Sequence, residues 1–88
     1  MAQALVMVEI KGRTLDFERI ESQLRSVPLG SMGAKQVVHS VIGFGDGAVA
    51  LLHIGSDEVE GMGRAILEFA KVPKVISVIP VKVLSAGN

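Results

Sequence analysis

Two apolar runs, Gln36–Ile42 and Ala48–Ile54, are separated only by Gly43-Phe44-Gly45-Asp46-Gly47. Short runs rich in branched residues and bounded by turn residues read as strands. A glycine-rich link of this length is normal for a hairpin. An antiparallel hairpin is therefore expected in the middle of the chain, and the rest must fold onto it. With Ile42 placed opposite Ala48, one face carries Val38, Ser40, Ile42, Ala48, Ala50, Leu52 and Ile54. The other face carries Val37, His39, Val41, Val49, Leu51 and His53. Both faces are mostly apolar, and a slip of one residue would exchange part of this assignment.

The flanking segments add two helices and two strands. Ala4–Ile10 is nearly all apolar and reads as a strand buried on both faces. Thr14 is a suitable helix cap, with Asp16 in the favourable first turn. Phe17, Ile20, Leu24 and Val27 follow at helical spacing, and Pro28 ends that helix by Val27. Leu29–Gly33 reads as a loop. After the hairpin, Gly55-Ser56-Asp57 opens a second helix, with Asp57 and Glu60 as a capping pair. Its apolar stripe is Val59, Met62, Ile66 and Phe69, interrupted by Gly61 and Gly63. Pro73 closes that region, and Val75–Leu84 is the last strand, where Pro80 requires an edge or a bulge. The order is strand, helix, strand, strand, helix, strand. That is the α+β, ferredoxin-like βαββαβ arrangement, with an antiparallel four-stranded sheet and both helices on one side. One domain over 1–88 is expected, with no DNA-binding domain.

Composition bears on the uncovered side of that sheet. A domain of 88 residues buries only about 60–65% of its unfolded surface. Yet 49% of the chain is hydrophobic, and its mean hydropathy is +0.48. More apolar surface than one small core can hold points to self-association. Two sheets packed face to face would cover the second apolar face, as in a dimeric α/β-barrel. A homodimer or higher oligomer is therefore expected.

Nine basic and nine acidic residues balance to +0, which supplies no basic stripe for direct nucleic-acid binding. The absence of cysteine excludes disulfides and thiolate metal sites. No run of eighteen apolar residues exists and Met1-Ala2-Gln3 is uncharged, so the expectation is a cytoplasmic protein with no membrane partner.

Few residues suggest chemistry. In the corner 43–47, glycine supplies positive φ and Asp46 can bond nearby amides, which is a plain turn. The same groups suit a zwitterion, with N–H groups taking its carboxylate and Asp46 its ammonium. Both readings stand on the residues alone. Gly43-x-Gly45-x-Gly47 is no dinucleotide fingerprint, because a strand follows it where that motif opens a helix. His39 and His53 fall on one face as diagonal neighbours across the hairpin. They fit a metal pair, an acid–base pair, or two histidines at an interface rim. Glu9 is the nearest third ligand by type. Asp57, Glu58 and Glu60 are explained by the helix dipole. No catalytic constellation emerges, so a non-enzyme without cofactor or bound metal is expected. The alternative is an enzyme using His39 and His53 inside a dimeric barrel.

Val38-His-Ser-Val41-Ile-Gly43-Phe-Gly45-Asp46 resembles the V-x-x-V-x-G-x-x-D segment of the Lrp/AsnC effector-binding (RAM) domain. Ala65-Ile-Leu-Glu-Phe-Ala-Lys-Val72-Pro73-Lys-Val75 resembles that family's second helix and I-P-G-V corner, and Val81–Leu84 its final strand. Lys74 stands where the family usually has glycine, the loop Leu29–Lys35 is longer, and Ser77-Val-Ile-Pro80 replaces a threonine-rich stretch. The resemblance implies a stand-alone module that binds an amino acid or similar effector between dimers. It implicates Gly43 and Asp46, to which backbone access adds Gly45 and Gly47. It also implies an accessory role in transcription regulation, with a full-length regulator of the same family as a partner. Ala4-Leu-Val-Met-Val-Glu-Ile-Lys-Gly12 is similar to the first strand of bacterial microcompartment shell proteins. That second resemblance implies a hexameric tile with the same corner lining a pore.

Overall fold

The computed structural model describes residues 2–85. Residues 1 and 86–88 of the expected 1–88 domain lie outside them. The elements are β1 (Ala2–Lys11), α1 (Phe17–Arg25), a 3₁₀ turn (Gly30–Met32), β2 (Ala34–Phe44), β3 (Gly47–Ser56), α2 (Val59–Phe69) and β4 (Val75–Ser85). The strands form one sheet in the order β2-β3-β1-β4, and every neighbouring pair is antiparallel. The result is a small α+β fold of four antiparallel strands and two helices, compatible with a ferredoxin-like fold.

Alternation along the two central strands decides which face meets the helices. Ala2, Ala4, Val6, Val8 and Ile10 of β1 are buried, as are Ala48, Ala50, Leu52 and Ile54 of β3. Ile20 and Leu24 of α1, and Met62, Ala65 and Phe69 of α2, complete this core. The intervening residues of β1 and β3, among them Leu5, Met7, Val49 and Leu51, are only half-buried. The strand expected to be buried on both faces is thus fully covered on one.

The helix caps differ from expectation. Asp16, not Thr14, caps α1, and its Oδ1 accepts from the Arg19 N–H at 3.2 Å. Glu58 takes the N-cap position of α2 without a side-chain bond. Ser56 fastens this entry instead, donating from Oγ to the Glu58 carbonyl at 2.9 Å. Gly61 allows a close approach: a Cβ there would meet the Met32 carbonyl oxygen at 2.5 Å. Its close neighbours are the 3₁₀ turn and the Ser56 Oγ at the end of β3, which that Cβ would meet at 2.8 Å. Gln36 Nε2 donates to the Leu24 carbonyl and ties β2 to the end of α1.

Pro80 lies on the outer strand β4, beside a register shift opposite Leu5 and Val6. This meets the requirement that a strand proline sit at an edge or bulge. Lys74, just before that strand, adopts φ 71. A side chain in the left-handed region costs about 1–2 kcal/mol, a cost that glycine escapes. The backbone there is pinned, because the Lys11 N–H donates to the Lys74 carbonyl at 3.0 Å. Lys74→Gly is expected to stabilise the fold by about 0.5–1 kcal/mol, the strain relief exceeding the added chain entropy. Chemical denaturation of both proteins measures it.

Candidate functional site

The corner is tighter than the sequence suggested. Phe44 pairs with Gly47, so the strands run into the turn and leave Gly45-Asp46 as a two-residue link. Gly45 has φ 55 and Asp46 does not have positive φ, which fits a type II′ hairpin turn. Each glycine has a separate structural reason. A Cβ on Gly43 would meet the Phe17 ring at 2.2 Å, and one on Gly47 would meet the Ile10 carbonyl oxygen at 2.6 Å. Gly45 supplies the left-handed residue. No hydrogen bond of the exposed Asp46 carboxylate is found among the described residues, whereas its carbonyl accepts from the Gly12 N–H at 2.8 Å.

That last bond shows what shares the corner. β1 runs antiparallel to β3, so its end lies beside the hairpin tip, with Lys11 opposite Gly47. An open cleft of about 480 Å³ is lined there by Arg13, Thr14, Phe17, Phe44 and the neighbouring glycines. It brings Gly43, Gly45 and Gly47, but not Asp46, together with a cation, Arg13, that sequence reasoning did not single out. The signal was available: a strand order that pairs β1 with β3 carries Lys11-Gly12-Arg13 to the tip. A larger groove of about 640 Å³ runs between the ends of α1 and α2, away from this corner.

The second candidate surface is the sheet face that the helices leave uncovered. The ladder pairs Leu5 with His53, Met7 with Leu51 and Glu9 with Val49 on this face. On β2, Val37 pairs with His53, Ser40 with Leu51 and Ile42 with Val49. A register shift between Val38 and Ser40 leaves His39 as an unpaired bulge residue. Ser40 and Ile42 therefore lie on the open face and Val41 on the helix side, reversing the expectation for those three. Val37, Ile42 and Phe44 are 55%, 63% and 61% exposed. Ile79 on β4 pairs with Met7 and extends the same apolar surface.

Polar residues interrupt it: Lys82 beside Leu5, Ser40 beside Leu51, Glu9 with Ser77, and the two histidines. Ser77 Oγ donates to Glu9 Oε1 at 2.7 Å, which occupies that carboxylate within the chain. The His39 and His53 rings lie with centroids 6.1 Å apart, tilted by 59°. Glu9 is not their third ligand, since the residue opposite His53 is Leu5, roughly 13 Å away along β1. Among the described residues, no group of three His, Cys, Asp or Glu is placed to hold a metal ion, and no helix is long and apolar enough to cross a membrane. The chain matches no protein-family model and no curated protein.

Proposed function

We propose that this chain is a non-enzymatic, self-associating module that pairs through its open sheet face and binds a small zwitterionic effector, of amino-acid type, at the hairpin corner. The observation that carries this reading is the uncovered apolar sheet face. Four strands about 4.8 Å apart, each some ten residues long, describe a face of roughly 650 Å². A stable pair needs about 800 Å² from each partner, so a second copy of the same face is a commensurate cover. Leu5, Met7, Val49 and Leu51 lie at its middle, and the exposed apolar side chains of Val37, Ile42, Phe44 and Ile79 extend the same surface towards its edges.

The corner supports the effector half of the reading. Arg13 lines the cleft beside the glycine backbone and suits a carboxylate, and the carboxylate of Asp46, exposed on the turn between two lining glycines, suits an ammonium. Binding there would shift the population of assemblies by its differential affinity for them. The resemblance to Lrp/AsnC effector-binding domains agrees with this use of Gly43 and Asp46, and with a cytoplasmic role beside a full-length regulator.

Calorimetry against the twenty common L-amino acids tests the site. At least one is expected to bind, and Asp46→Ala is expected to weaken it by roughly ten- to a hundredfold, the cost of one charge-assisted bond. Silence across the panel would remove the amino-acid ligand. Undiminished binding by Asp46→Ala would move the site away from the corner.

A further inference from the structure

The sheet face holds a feature that neither self-association nor effector binding uses. His39 and His53 are the only histidines of the chain, and they come from neighbouring strands. The bulge between Val38 and Ser40 leaves His39 without a cross-strand partner. Bulges re-aim a side chain and recur beside functional sites. Here the extra residue is the one that brings an imidazole to the His53 ring.

We propose that His39 and His53 form a two-imidazole site for a divalent transition-metal ion. An imidazole nitrogen sits about 2.0–2.1 Å from Zn²⁺, so two rings sharing a tetrahedral ion have centres about 5 Å apart, and about 6.4 Å apart when the ligands are opposed. The observed 6.1 Å falls between these limits, and the tilted rings are not stacked against each other. In the single chain His39 is exposed and His53 half-exposed, so an ion reaches both from solvent there. His39 lies on the outer strand β2 and His53 on the inner strand β3, opposite Leu5, so the pair reaches from the edge of the face inwards.

The donor set defines the ion class. Two neutral imidazoles, with no thiolate and no third protein ligand among the described residues, leave the remaining positions to water or to a soluble ligand. Such a site is an exchangeable one, unlike the closed four-ligand set of a structural zinc. Imidazole donors suit Cu²⁺, Ni²⁺ and Zn²⁺, with Cu²⁺ bound tightest, and they do not hold Mg²⁺ or Ca²⁺. Both ligands belong to one chain, so the site does not depend on the proposed dimer or effector. A chain that stays monomeric and binds no amino acid would still carry it.

Calorimetric titration of the untagged chain with Cu²⁺, Ni²⁺, Zn²⁺ and Mg²⁺ tests this, alongside His39→Ala and His53→Ala. One transition-metal ion per chain is expected, in the affinity order Cu²⁺ over Ni²⁺ and Zn²⁺, with no response to Mg²⁺. Each variant is expected to lose at least tenfold in affinity, because the chelate becomes a single imidazole. NMR gives an independent reading: both histidine ring signals shift together and saturate at one equivalent of Zn²⁺. Absence of saturable binding by the native chain, native affinity in either variant, or movement of one ring without the other would overturn the assignment.

Discussion

Leu51→Glu is expected to remain a folded monomer at concentrations where the proposed pairing makes the native chain associate. Leu51 lies on the open face of β3, between Met7 on β1 and Ser40 on β2. In one chain it is half-buried, so a carboxylate there keeps water on its outer side and the core behind it is untouched. Between two packed sheets the same carboxylate would be desolvated. An isologous pair repeats every contact, so each assembly would hold two such charges. Burying unpaired charge costs several kcal/mol per ion, and the dissociation constant should rise by at least about a hundredfold. Sedimentation velocity reads the association, and circular dichroism confirms that the fold persists. Unchanged association would place the interface elsewhere.

Phe69→Ala has the largest expected effect on the fold itself. Phe69 ends α2, is 0% exposed, and is among the largest fully buried side chains. It is the only fully buried phenylalanine of three, since Phe17 and Phe44 are exposed. Truncating it removes a large apolar group and leaves a cavity between α2 and the sheet, at a cost of about 3–5 kcal/mol. Small domains have only about 5–15 kcal/mol in total. The variant is expected to be largely unfolded near body temperature, or to survive only where assembly supports it. Phe44→Ala is the internal contrast: its ring is 61% exposed, so the monomer loses little while association weakens. Urea titrations over a range of protein concentration separate the two effects: the Phe69→Ala loss persists at dilutions where the chains are separate, and the Phe44→Ala loss fades there.

The element order was legible because each strand and helix carries its own period. The apolar residues of α1 and α2 recur at helical spacing, and prolines and glycines mark where elements stop. The register was legible only in part. The assumed pairing holds from Ala34 to Val38 and is displaced by one residue from Ser40 to Phe44. Nothing in the pattern Val37-Val38-His39-Ser40-Val41-Ile42 signals the bulge, since both faces there are mostly apolar and either assignment satisfies alternation. The caps failed for a related reason. Thr14 and Asp16 are both competent caps, two residues apart, and tertiary placement of the β1–α1 link selects Asp16. At the corner, the need for glycine was visible but its causes were not. The Phe17 ring over Gly43 and the Ile10 carbonyl beside Gly47 come from distant elements. Arg13 was missed because its position at the tip follows from strand order rather than from its neighbours in sequence.

Pairing of the open sheet face with a second copy carries the proposed function. Native mass spectrometry of the intact chain, 9.3 kDa as a monomer, tests it most directly. Dimers or rings of dimers are expected, reduced to monomers by Leu51→Glu. A monomer at tens of micromolar, or hexamers that spread into flat sheets, would contradict it.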